Sequence, residues 1–343
     1  MKSDRLIKRY AILSKLNDLI FYSKVCIIYV TEPDTPLNDA DHVGSFNFFR
    51  KIYMSLKKHE SALTIEEKVN NLKSLNLIIK DEQLAKDFLN DVSYFRFIKA
   101  FSIGLKPKNG NYYDNISFEQ LKELYLFNAE FRQILFTQIE KVEINLRCRI
   151  SNYFCLKYGV LGYKDSNNFS NKKYHTAFLN EISIEINRNK RVPFIYNFRN
   201  NYIDGDIPLY ALVEIISFGT LSKLFKNMHN ADKKMIALTY NVSYTYFESW
   251  IESISYIRNI CAHYGRLYNA KLTKTPKLYQ QYTKKHISNI RIFGVLCCIK
   301  HLVKNDIHWT NFVKKLEKLF QQYSYVDKNT MGFPADWKDI LLL

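Results

Sequence analysis

The stretch SFEQLKELYLFNAEFRQILFTQIEKVEINLRCRISNYFCLKYG, running from Ser117 to Gly159, decides the fold class. Ser117 followed by Gln120 is a capping box, in which each side chain satisfies the other residue's unpaired backbone N–H at a helix start. Apolar residues then recur every three or four positions: Leu121, Leu124, Phe127 or Phe131, Leu135, Ile139, Val142, Leu146, Ile150 and Phe154. That spacing gathers them on one face of a helix. Gly159 is the stop signal, because glycine enters the positive-φ conformations that end helices at little cost. Asn128 is the one place within the run where a break is expected.

The flanking sequence carries the same period. Upstream, Thr64 with Glu67 makes a second capping box before an apolar run to Leu77, and Asp81 to Asn90 predicts the next short helix. Downstream, helices are predicted over 171–190, 208–229, 231–240, 243–263, 286–305 and 308–323. Only 10 Gly and 7 Pro occur in 343 residues, which favours long helices over a many-turned β protein. A helix is expected over 1–30 and an exposed loop from Thr31 to Ser45, so residues 1–60 read as an N-terminal extension and 61–343 as an all-α domain.

The charge is one-sided. Fifty Lys and Arg stand against 33 Asp and Glu, a formal net charge of +17, and the 47% of apolar residues excludes global disorder. Between Ser253 and Asn305 there is no carboxylate, whereas Arg258, Arg266, Lys271, Lys274, Lys277, Lys284, Lys285, Arg291, Lys300 and Lys304 all fall there. Tyr264, Tyr268, Tyr279 and Tyr282 alternate with these cations, as stacking on unpaired bases would use. RNA is therefore the expected partner, with Arg266, Lys271, Lys274, Lys277, Lys284, Lys285, Tyr264 and Tyr268 as binding residues; a solvated basic face is the bland alternative. The six cysteines show no C-x-x-C spacing, and no metal site or cofactor is expected. The basic start is interrupted by Lys15, Asp18 and Lys24, so neither a signal peptide nor a membrane span fits. A cytoplasmic location with unpaired thiols is expected.

Within the basic segment stands Arg258-Asn259-Ile260-Cys261-Ala262-His263. At about 100° per residue, Trp250, Ile254, Ile257 and Cys261 form a buried stripe, with Glu252, Asn259, His263 and, on a continuing helix, Arg266 opposite it. An imidazole on a polar, cationic face suits metal-independent RNA cleavage. His263 would move the proton, Arg258 or Arg266 would hold the scissile phosphate, and Asn259 would orient the imidazole or the substrate. Arg258 sits about 140° from His263 on an ideal helix. The two would reach one phosphate only if the helix bends or a second chain contributes. Elsewhere, Glu140, Glu143 and Arg147 share a helix face and read as a structural ion pair. Glu214 reads as a helix-junction element, and Cys297-Cys298 as core.

Arg258-Asn259-Ile260-Cys261-Ala262-His263-Tyr264-Gly265-Arg266-Leu267-Tyr268-Asn269 resembles the R-N-x-x-A-H-x-x-R-L-[WY]-N signature of the Abi family (AbiD/AbiF-like) of abortive-infection proteins. Tyr94-Phe95-Arg96, Ser117-Phe118-Glu119, Glu140 to Arg147, Glu214 to Ser222 and Met331 to Trp337 follow in the family's order, so the likeness spans about 62–338. The family's Y-Y-R-L-S-G-Y block keeps its first Tyr and its Arg here but has lost the Gly-Tyr pair. The family is in turn similar to the HEPN superfamily, whose R-x-x-x-x-H motif is associated with metal-independent ribonucleases of toxins and defence systems. The resemblance implies a HEPN-like helical bundle, a homodimer that pools two motifs, and an RNase toxin of phage defence. It also implies restraint by a bound non-coding RNA acting as antitoxin. The alternative is a HEPN module that binds RNA or senses phage without cutting.

Overall fold

The computed structural model describes residues 61–303 and 307–342. The expected extension over 1–60 lies outside them. The described residues hold fourteen α-helices and no β-strand, as the periodicity requires. They are α1 (Ile65–Ser74), α2 (Glu82–Asp91), α3 (Tyr94–Phe101), α4 (Phe118–Tyr158), α5 (Lys172–Arg188), α6 (Pro193–Asn201) and α7 (Leu209–Leu212), then α8 (Phe218–Asn227), α9 (Asn230–Leu238), α10 (Tyr244–Ala262), α11 (Gln280–Lys284), α12 (Ile292–Val303), α13 (Ile307–Gln322) and α14 (Trp337–Leu342).

The axis of the fold is α4, an unbroken helix of 41 residues and so about 60 Å long. Both predicted capping boxes form: Ser117 N–H donates to Gln120 Oε1 at 2.8 Å, and Thr64 N–H to Glu67 Oε2 at 2.7 Å. Every residue of the predicted apolar stripe is at most 3% exposed. Each such side chain contributes about 1.5–3 kcal/mol by leaving water. Around this stripe pack α3, α7, α10, α12 and α13. The C-terminal block closes one end of the core, with Phe333 edge-on to Phe320 and Trp337 and the Trp309 indole donating to the Leu341 carbonyl. Cys297 and Cys298 are fully buried in α12, and burial pushes the Cys297 thiol up to about 12.

Two expectations fail for the same reason, a polar side chain arriving from far along the chain. The helix does not break at Asn128, because that amide is spent on residues more than a hundred positions away. The predicted single helix over 208–229 is two, α7 and α8, since the Arg147 guanidinium donates to the Val213 and Ile216 carbonyls between them. Ser217 then caps α8, its hydroxyl accepting from Thr220 N–H at 3.0 Å.

Candidate active site

Three of the five buried polar residues of α4 locate the site, because a polar group on an apolar face costs free energy unless it is paired. Asn128, Arg132 and Glu143 are each 8% exposed or less, and all three serve the segment around His263. α10 ends at Ala262, with His263 as its C-cap. Tyr264 follows at φ 58, its N–H donating to the Cys261 carbonyl at 3.3 Å, while Gly265 N–H donates to the Ile260 carbonyl at 2.7 Å. This double closure is a Schellman motif. A side chain at position 265 would place its Cβ 2.8 Å from Ile260 Cγ2, so the turn needs glycine there.

Five long-range hydrogen bonds from two side chains fix the turn. Asn128 Oδ1 accepts from Leu267 N–H at 2.8 Å and Tyr268 N–H at 3.1 Å, and its Nδ2 donates to the Gly265 carbonyl at 3.3 Å. Arg96 donates to the Tyr264 carbonyl at 2.9 Å and to that of His263 at 3.4 Å. This gives the Tyr94-Phe95-Arg96 block a physical role. The Tyr264 ring, 69% exposed, has the guanidinium carbons of Arg96 and Arg132 5.8 and 5.7 Å from its centroid. His263 itself is exposed at the end of the helix.

Arg258 turns to α4. Its Nε donates to Glu143 Oε2 at 3.2 Å, and its guanidinium carbon lies 5.8 Å from the Phe136 ring centre. Glu143 Oε1 accepts from Arg147, the ion pair the spacing predicts, and Glu140 is exposed. Asn259 faces elsewhere, into a cleft of about 630 Å³ where α5, α8 and α10 meet. There it joins Ser217, Gly219 and Thr220, so the S-F-G-T block and the R-N motif share one cleft. Lys223 pairs with Glu181, and Lys226 and Lys274 with Glu252. Burial works to raise the Glu252 carboxyl, but the two lysines prevail and hold it below its ordinary value. Within one chain, therefore, the three expected catalytic residues point to different places: Arg258 to Glu143, Asn259 to the cleft, and His263 outward at the helix end.

The second half of the motif is architectural. Arg266 does not continue a helix; it is half-buried and donates to the Tyr268 and Asn269 carbonyls at 2.8 and 3.1 Å. Tyr268 is 7% exposed and edge-on to Phe127, so it presents no face to a base. Tyr282 is buried, its hydroxyl against His301, and Tyr279 packs on Trp250. Of the four expected stacking tyrosines, only Tyr264 is exposed. The lysines lie on a segment that returns along α10, tied by the Trp250 indole to the Lys277 carbonyl at 2.7 Å and by the Ser253 hydroxyl to that of Lys274 at 3.0 Å. All five are exposed, but Lys274 pairs with Glu252 and Lys285 with Asp336. Among the described residues no three His, Cys, Asp or Glu side chains are grouped to hold a metal ion. No described helix is long and apolar enough to cross a membrane.

Residues 87–269 match the model of a family described as Abi-like protein, a span that ends on the last residue of the R-N-to-N motif. No curated protein and no solved structure matches the chain.

Proposed function

The chain belongs to the Abi-like family, a membership that points to phage abortive infection, and from that premise we propose that it is a metal-independent endoribonuclease with His263 as its proton-transfer group. The observation that carries the reading is an exposed imidazole on a backbone locked by Arg96 and Asn128, together with a guanidinium that a buried carboxylate holds on the flank of α4. An imidazole can take or give a proton near neutral pH. Only Nε of Arg258 is used by Glu143, which leaves the terminal amines for a phosphoryl oxygen.

In the proposed reaction the 2′-hydroxyl of the substrate gives its proton to one imidazole, and its oxygen attacks the adjacent phosphorus. The bond to the 5′-oxygen breaks, and that oxygen takes a proton from a second imidazole. The products are a 2′,3′-cyclic phosphate and a 5′-hydroxyl. Arg258 stabilises the extra charge on the phosphoryl oxygens. The second imidazole comes from a second copy of the chain, in a HEPN-like homodimer that also supplies each His263 with the other copy's Arg258.

Purified protein should cut RNA in the presence of EDTA, and His263→Ala should lower the rate by about 10²–10⁴ while RNA affinity stays within about twofold. Full activity in that variant would overturn the assignment. The divergence of Arg258 and His263 within one chain favours the second reading, an RNA-binding or phage-sensing module without cleavage. RNA binding with no cyclic-phosphate ends in any condition would establish it.

The restraining partner we propose is a structured non-coding RNA seated on Lys271, Lys277 and Lys284 and covering His263. One enriched RNA species should co-purify with the protein. Recovery of only heterogeneous fragments rules the dedicated partner out.

A further inference from the structure

Among the described residues, five Asp, Glu, Lys and Arg side chains are buried: Arg132, Glu143, Asp232, Lys233 and Lys300. Glu143, Asp232 and Lys233 are ion-paired, and the Lys300 ammonium donates to the Ile340 carbonyl at 2.8 Å. Arg132 differs. Its Nε donates to the Asn128 carbonyl at 3.3 Å, one turn back along α4, and no described residue accepts from its two terminal amines. The buried polar atoms that lack a partner lie on Glu119, Glu123 and Gln138 and not on Arg132, so those amines reach solvent although the stem is enclosed.

A guanidinium keeps its proton, so its charge has to be met by a partner or by water. Burial, with the Arg96 charge nearby, holds the pKa of Arg132 below its ordinary value. The second, independent observation is Arg96 itself, which arrives from α3 at the same place. Both guanidinium carbons lie within 5.8 Å of the Tyr264 ring centre, and Arg96 donates to carbonyls rather than to a carboxylate. The negative face of the ring offsets part of the repulsion between the two cations but brings no counter-charge. Tyr264 is exposed and follows His263 directly. An anion meets the charge of both arginines, and a fork whose stem is already enclosed is pre-organised to take two oxygens of one phosphate.

We propose that Arg132, with Arg96 beside it, forms an RNA-binding subsite next to His263, its terminal amines donating to a backbone phosphate that flanks the one cleaved. This rests on the reading of the protein as one that acts on RNA at His263. It adds a residue of α4 to a recognition surface otherwise drawn from 258–285. It also gives His263 a neighbouring cation from its own chain, where Arg258 is turned to Glu143.

Fluorescence anisotropy of the full chain with a short single-stranded oligoribonucleotide tests it, the RNA being 2′-O-methylated so that the proposed chemistry cannot cut it. Arg132→Gln should weaken binding about tenfold and lower the slope of log K against log salt by about 0.7, which loss of packing alone would not do. Arg132→Lys keeps the charge and gives up the fork, so it should restore the slope but only part of the affinity. Replacing one linkage of the RNA by a neutral methylphosphonate should, at one position at least, weaken the wild type about tenfold and Arg132→Gln less than twofold. Should Arg132→Gln fail to fold, Arg132→Lys carries the test: it should weaken the unmodified linkage at least threefold and the neutral one less than twofold. Affinity and slope unmoved in a folded variant overturn the subsite, even with cleavage of ordinary RNA intact. A wild-type protein that binds no RNA overturns it as well, as does millimolar inorganic phosphate displacing the RNA from the wild type but not from Arg132→Gln. Weakened binding in Arg132→Gln beside a wild type that cuts no RNA keeps the subsite and removes the nuclease.

Discussion

At the scale of the residue, the place of His263 depends on two side chains, Arg96 and Asn128, that hold the backbone around it. Tyr264 occupies a left-handed conformation that costs a non-glycine residue about 1–2 kcal/mol, and such strain persists only where surroundings over-determine it. Here Arg96 holds its carbonyl, and Asn128 fastens the chain immediately after it. Asn128→Leu keeps the branched skeleton of four side-chain heavy atoms but leaves the Leu267 and Tyr268 N–H groups buried without acceptors. The expected loss of stability is about 2–4 kcal/mol, at 1–3 kcal/mol for each unsatisfied group partly offset by relaxation. Urea unfolding at neutral pH should show the midpoint falling with an unchanged slope. If His263 is the proton-transfer group, cleavage at temperatures where the variant is fully folded should fall as well. Undiminished stability would mean that the amide's three hydrogen bonds do not form in solution.

At the scale of the element, the basic segment from Lys271 to Lys285 is less uniform than its sequence suggests. Lys274 and Lys285 already face carboxylates, so removing them releases an acid as well as a cation. Lys271→Gln, Lys277→Gln and Lys284→Gln should each reduce the slope of log K for RNA against log salt by about 0.7–0.9, whereas Lys274→Gln and Lys285→Gln should each reduce it by less. Five equal changes would show that the ion pairs are absent in the bound state. The same contrast explains what a sequence can disclose. Capping boxes and the α4 stripe are local patterns, set by residues three or four apart, and they were legible; so was the Arg258-to-His263 spacing. The short α3 and α6 went unread, although Pro193 at the first position of α6 is a start signal. Asn128 was misread because its propensity is poor, while the N–H groups that justify it arrive 139 and 140 positions later. Glu143 was read as the partner of Arg147 alone, because nothing in spacing reveals a second arginine 115 residues away. Arg266 and Tyr268 looked like binding residues for the complementary reason: charge and aromaticity are visible in a sequence, but burial is not.

At the scale of the whole molecule, one chain holds one R-x-x-x-x-H motif with its two ends turned apart. Arg258 is pinned by Glu143 on the flank of α4, and His263 stands at the end of α10 where the Schellman turn exposes it. Cleavage as proposed needs a base and an acid on opposite sides of the phosphorus and a guanidinium beside it, which is one imidazole more than a chain supplies. Two copies related by a twofold axis near His263 would bring both imidazoles together and place each Arg258 within reach of the opposite histidine. The proposal has a sharp consequence for mixtures. Arg258→Ala chains alone lack both guanidinium groups, and His263→Ala chains alone lack both imidazoles, so each homodimer should be inactive. Mixed in equal amounts and allowed to exchange, they form heterodimers in which the intact Arg258 and the intact His263 come from different chains and meet at one composite site. Activity should reappear on mixing, rise with time as subunits exchange, and reach a minor fraction of the wild-type rate, because half the dimers are hetero and each has one imidazole. Light scattering of the wild-type protein should give the mass of two chains over the concentrations at which cleavage is measured. Mixtures that stay silent while native mass measurements show heterodimers would exclude a shared site that works with a single imidazole, and a fully active monomer would exclude the dimer itself.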